Sequence, residues 1–72
     1  MANEVYKLVE LTGSSDQSIS DAITVAIDRA SSTLRHLGWF EVTEIRGHIA
    51  NGKVDQYQVS LKVGFELKSG PE

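Results

Sequence analysis

The dipeptide Asn51-Gly52 stands between two long strand-like stretches, and no other pair of residues constrains the fold of this chain so tightly. Asn-Gly supplies the left-handed backbone that a two-residue hairpin turn requires. A turn that short fixes the pairing: Ala50 faces Lys53, and each step outward adds one residue on either strand. The segment from Lys53 to Lys68 alternates cleanly. Tyr57, Val59, Leu61, Val63, Phe65 and Leu67 form one face, and Gln56, Gln58, Ser60, Lys62, Gly64 and Glu66 form the other. Counted from the turn, Phe40 meets Val63 and Val42 meets Leu61 on the apolar face. Glu41 meets Lys62 on the second face, an opposite-charge pair of the stabilising kind.

The same count places Trp39, the only tryptophan, on the second face opposite Gly64. Glycine within a strand marks the close approach of a ligand or another backbone. Three readings of Trp39 stay open at this point: a contact between subunits, where tryptophan is favoured, a stacking platform for a flat ligand, and ordinary core packing. Gln58 falls on the same face, opposite Ile45. Six residues separate it from the Trp39 level, roughly 20 Å at a strand rise of about 3.3 Å. A flat ligand touching both must therefore sit between subunits.

The apolar parity of the Trp39–Ala50 strand slips after Val42. Ile45 and Ile49 move to the second face, and Glu44, Arg46 and His48 nominally point toward the core. A bulge near Thr43 to Ile45, or a strand running past the helix, would set these three at a rim facing a neighbour or a ligand.

Upstream, Glu4 to Gly13 is rich in Val, Tyr and Leu and ends at glycine, which reads as a strand. Val5, Val9 and Leu11 share one parity, Tyr6 and Leu8 the other. Ile19, Ala22, Ile23, Ala26, Ile27, Ala30, Leu34 and Leu37 recur at helical spacing. Ser18 with Asp21 resembles a capping box. Arg35 and His36 suit the final turn of the helix, and Gly38 suits a left-handed stop. The expected order is strand, helix, strand, strand, an α+β domain spanning residues 1–72 with a frayed tail at 69–72.

Seventy-two residues without cysteine cannot be stapled by disulfides or thiolate metal sites. Two histidines are too few for a standard zinc site, so no metal is expected. Oligomerisation is the remaining staple. The N-terminus lacks a signal-peptide pattern and no apolar run approaches spanning length, so a cytoplasmic protein without membrane association is expected. A net charge of −3 with interspersed signs argues against nucleic acid. No nucleophile with a base and an acid is visible. Glu41, Glu44 and Asp55 read as solvated or ion-paired carboxylates, and "TGSSDQS" lacks the spacing and lysine of a phosphate-binding loop. The expectation is a protein that is not an enzyme.

The run "GWFEVTEIRGHIANGKVDQYQVSLKVGFEL" closely resembles the bacterial dodecins, and "VYKLVELTGSS" and "DAITVAIDRASSTLRHL" fit the same family. The resemblance implies a β-α-β-β subunit, with a three-stranded antiparallel sheet wrapped round one helix, in a hollow homododecamer. It implies flavin pairs stacked between symmetry-related tryptophans, here Trp39, with Gln58 reading the ring's polar edge. It associates Arg46 with FMN and places Glu44 and His48 near the ribityl chain. FMN is the expected cofactor, with riboflavin and FAD as alternatives. A nearby indole that donates an electron to photoexcited flavin would make the function storage, sequestration and photoprotection. Some members also carry coenzyme A. Several relatives have Arg where this chain has Glu66, which weighs against that second ligand. The alternative reading is a self-assembling shell, or a carrier for another small ligand, with Trp39 in an interface only. Arg46 as an intersubunit ion-pair partner rivals Arg46 as a phosphate ligand.

Overall fold

A computed structural model describes residues 3–68. The expected tail at 69–72 lies outside the described residues. Four elements follow in order: β1 (Val5–Ser15), α1 (Ile19–Ser31), β2 (Leu37–Ala50) and β3 (Lys53–Leu67). The sheet is antiparallel throughout, with β3 in the centre and β1 and β2 on its flanks. Asn51 and Gly52 both take positive φ, 55° and 74°, as the short hairpin turn demands.

The start of α1 follows from its serines. Ser18 is extended and its hydroxyl accepts from the Asp21 amide at 2.9 Å. The reciprocal half of a capping box is replaced by a local hub. The Asp21 carboxylate accepts from Ser15 Oγ at 2.7 Å, and that hydroxyl accepts from the Gln17 amide at 2.9 Å. Strand end and helix start are thus tied together by one serine.

The end of α1 differs from the sequence expectation. The helix stops at Ser31 with Ser32 as its cap, well before Gly38. Ser31 and Ser32 donate their hydroxyls back to the Asp28 and Arg29 carbonyls at 2.8 and 2.7 Å. Such local bonds compete with helix continuation. The residue that turns the chain in the left-handed region is His36, φ 63°, and its carbonyl accepts from the Glu66 amide at 3.0 Å. Leu37 is therefore the first residue of β2, paired with Phe65. Arg29 takes the place in the last helical turn expected for Arg35 and His36.

The core is small and lies between α1 and the odd-numbered face of β3. Ala22, Ala26, Val59, Leu61 and Val63 are buried, with Leu11, Ile23, Ile27 and Leu37 packed around them. Burying a Val or Leu side chain contributes about 1.5–3 kcal/mol, so three such residues on β3 anchor the fold. Alanines spaced four apart on α1 let the helix lie close against the sheet.

The helix packs on β1 and β3, and β2 lies off to its side. Length explains part of this. Thirteen helical residues span about 20 Å at 1.5 Å per residue, whereas fifteen strand residues span about 50 Å. The molecule is accordingly elongated, 54 × 20 × 15 Å. Phe40, Val42, Ile45 and Ile49 on the helix-side flank of β2 are left open to solvent, Ile45 at 55% and Ile49 at 70%.

Candidate functional site

The site residues lie on the sheet face turned away from α1. The hairpin register runs as expected from Ala50–Lys53 and again from Val42–Leu61 through Glu41–Lys62 and Phe40–Val63 to Trp39–Gly64. Between them two irregularities offset each other. One lies between Val42 and Glu44, where Thr43 is the extra residue on β2. The other lies between His48 and Ile49, where β3 carries the extra residue, Asp55.

Between these bulges each residue of β2 meets a partner one place from the uninterrupted count. Ile45 faces Val59 on the helix side, Arg46 faces Gln58, Glu44 faces Ser60 and His48 faces Gln56. This corrects two expectations. Gln58 stands opposite Arg46, and Ile45 and Ile49 remain on the helix-side flank of β2. The physical reason is the period of two in a strand: one extra residue exchanges the faces of everything beyond it. Glu44, Arg46 and His48 thereby share the second face with Trp39 and Gln58.

Polar side chains link this face along its length. The Arg46 guanidinium pairs with the Glu44 carboxylate, and its Nη1 donates to Ser60 Oγ at 3.4 Å. Ser60 Oγ in turn lies 2.8 Å from Thr12 Oγ1 on β1. The Thr43 hydroxyl shares its proton between the Glu10 carboxylate at 3.2 Å and the Ser60 carbonyl at 3.1 Å, which fastens the bulge to β3 and, across it, to β1. His48 Nδ1 lies 2.9 Å from an Asp55 carboxylate oxygen, so the second bulge also carries a polar tie. Gln58 is half-buried between these groups.

At the other end of the face, Trp39 is 43% exposed. Its indole reaches over Gly64, where an added Cβ would lie 2.5 Å from both Cε2 and Cζ2. Tyr6, from the opposite flank of the sheet, stands beside it with ring centroids 5.8 Å apart and planes tilted by 46°. The core-packing reading of Trp39 therefore gives way: the indole is on the far side of the sheet from the core. Tyr6 is the residue that sequence reasoning missed. Its parity separated it from Val5 and Val9, but contact with Trp39 depends on β3 lying between the two strands.

The chemistry on offer is a half-exposed aromatic surface, an amide with one donor and one acceptor group, and an arginine with a carboxylate beside it. Among the described residues no helix is long and apolar enough to cross a membrane. Fold and face together define a small β-α-β-β subunit presenting an aromatic and polar surface on an uncovered sheet.

Comparison with known proteins gives that subunit its family. A family model described as Dodecin matches residues 5–68. A dodecin of Thermus thermophilus is 55% identical over 65 residues, 90% of this chain and 94% of its own length. A crystal structure of a Thermus thermophilus protein has a TM-score of 0.89 at 53% identity, covering 94% of this chain and 100% of the other. The dodecin of Streptomyces coelicolor likewise has a TM-score of 0.89, at 46% identity, covering 97% of this chain and 100% of its own. The chain belongs to the dodecin family.

Proposed function

We propose that this protein binds flavin, with FMN as the principal ligand and riboflavin or FAD as alternatives, inside a homododecameric shell that stores the cofactor and suppresses its photochemistry. One observation supports the reading above the rest: Trp39, Gln58, Glu44, Arg46 and His48 occupy a single uncovered sheet face, and the indole among them is half-exposed. Stacking on an indole buries the flat apolar area of an isoalloxazine. The amide of Gln58 matches an adjacent N–H and C=O on the ring edge, and Arg46 offers a charge-assisted partner for phosphate.

Trp39 and Gln58 are separated by six residues along β3, roughly 20 Å at the rise of a strand. One ring cannot span that within a single chain, so the ring site is built from more than one copy. The exposed Phe40, Val42, Ile45 and Ile49 on the flank of β2 give such copies an apolar surface to bury. Glu66 weighs against coenzyme A as a second ligand: it presents a carboxylate, paired to Lys68 at 3.1 Å, where several relatives have arginine. The proposal involves no turnover and a cytoplasmic setting. Nucleic acid and membranes are not expected partners.

FMN titrated with the protein should lose its fluorescence, with an equimolar endpoint. Unchanged FMN fluorescence overturns the flavin reading. The second reading, a shell in which Trp39 serves only the interface, draws on the apolar flank of β2 running beside Trp39. Under it, Trp39→Ala breaks the assembly on size-exclusion chromatography. Under the flavin reading the assembly survives and affinity falls.

A further inference from the structure

The two flanking strands do not pair with each other, because β3 runs between them. Their aromatic rings nevertheless meet. Tyr6 on β1 pairs across with Glu66, and Trp39 on β2 pairs with Gly64. The rings come within 5.8 Å of each other over the central strand. A side chain at position 64 would collide with the indole. Its Cβ alone would lie 2.5 Å from Cε2 and Cζ2 of the indole and 2.9 Å from Cη2, closer than real Cβ contacts come. A second glycine seats the second ring: a Cβ at Gly38 would lie 3.0 Å from Tyr6 Cε2 and 3.6 Å from its hydroxyl. Gly38 is not in the left-handed conformation, so space and not backbone freedom explains it.

We infer that Gly64, Gly38 and Tyr6 are positioning residues for Trp39, a cradle that sets the plane of the indole before any aromatic guest arrives. Each strand of the sheet supplies a part. The missing side chain of β3 admits the indole, the ring of β1 blocks its swing to one side, and the gap at Gly38 lets that ring come near. Centroids at this distance with tilted planes fall within the favourable range for aromatic pairs. An indole already held in place loses less freedom when a flat guest stacks on it, and this strengthens binding without any new contact to the guest. The inference rests on the stacking role of Trp39 proposed above, but the immobility of the indole stands or falls independently of flavin.

Trp39 is the sole tryptophan, so the time-resolved anisotropy of its fluorescence reports this one side chain in the ligand-free assembly. The variants are Gly64→Ala, Tyr6→Ala and Tyr6→Phe, each also titrated with FMN. The cradle predicts no fast depolarisation in the natural protein. Gly64→Ala and Tyr6→Ala gain a fast component and weaken FMN binding about tenfold through lost preorganisation. Tyr6→Phe keeps the ring and behaves as the natural protein. Tyr6 is at the surface, so its variants keep the test open where Gly64→Ala does not fold. A pinned indole that both alanine variants release, in a protein that leaves FMN fluorescent, supports the cradle and removes only the flavin. A fast component already present in the natural protein, or alanine variants matching it in both readouts, overturns the cradle.

Discussion

The two faces of β3 are made from the same strand and do opposite things. Val59, Leu61 and Val63 are wholly withdrawn from water beneath α1. Between and beside them, Gln58, Ser60, Lys62 and Gly64 look the other way, toward groups from β1 and β2. The helix side holds the fold through non-directional apolar burial. The far side holds directional groups: an aromatic pair, an arginine with its carboxylate, a threonine fastening a bulge. A chain this small cannot place a stabilising core on both faces of one sheet. What the helix leaves uncovered is free to carry chemistry, provided other copies of the chain close over it.

That division can be broken by substitution. Leu61→Ala removes the centre of the helix-side face and should cost about 2–5 kcal/mol of stability, read as a lowered midpoint in guanidinium unfolding. Any flavin affinity that survives in the folded fraction should be unchanged. Trp39→Ala addresses the far face. Stacking of bases on aromatic side chains is worth about 1–3 kcal/mol, so FMN affinity should fall roughly 5- to 150-fold, with the unfolding midpoint little moved. Equal losses of stability in the two variants would erase the distinction between the faces.

Smaller effects sharpen it. Arg46→Ala should weaken FMN at least about tenfold, the low end of the range of about 1.5–3 kcal/mol for a charge-assisted hydrogen bond, and leave riboflavin, which has no phosphate, unaffected. If both flavins weaken together and the assembly dissociates on size-exclusion chromatography, the guanidinium serves the subunit interface instead. Ser18→Ala removes the helix cap and should cost about 1 kcal/mol, with no effect on either flavin. Loss of flavin binding from that distant position would show that α1 and the far face are coupled.

Much of this was legible from residue types alone. Asn51-Gly52 and the alternation of β3 pair Trp39 with Gly64 and Glu41 with Lys62, and the count from the turn holds that far out because the extra residues Thr43 on β2 and Asp55 on β3 cancel. The fault in β2 was also visible, as three polar residues where apolar ones belonged. Its remedy was less so. The extra residue at Thr43 is held by hydrogen bonds to Glu10 and Ser60, both distant in sequence, and its counterpart Asp55 by the contact with His48 across the hairpin. The sequence pattern sets the end of α1 too late because Leu34 and Leu37 continue the helical spacing and Arg35, His36 and Gly38 imitate a terminal signal. Serine hydroxyls that bond back to carbonyls ended the helix earlier. The meeting of Tyr6 with Trp39 depends on strand order, which local pattern does not encode.

The central claim is that an uncovered sheet face, closed by sister copies, holds an aromatic guest against Trp39. Sedimentation velocity of the protein with FMN, followed at the flavin's visible absorbance, tests assembly and ligand together. The account predicts that the yellow absorbance sediments with a dodecamer of the 7.9 kDa chain. Flavin left behind in the supernatant, or protein sedimenting as single chains, contradicts it.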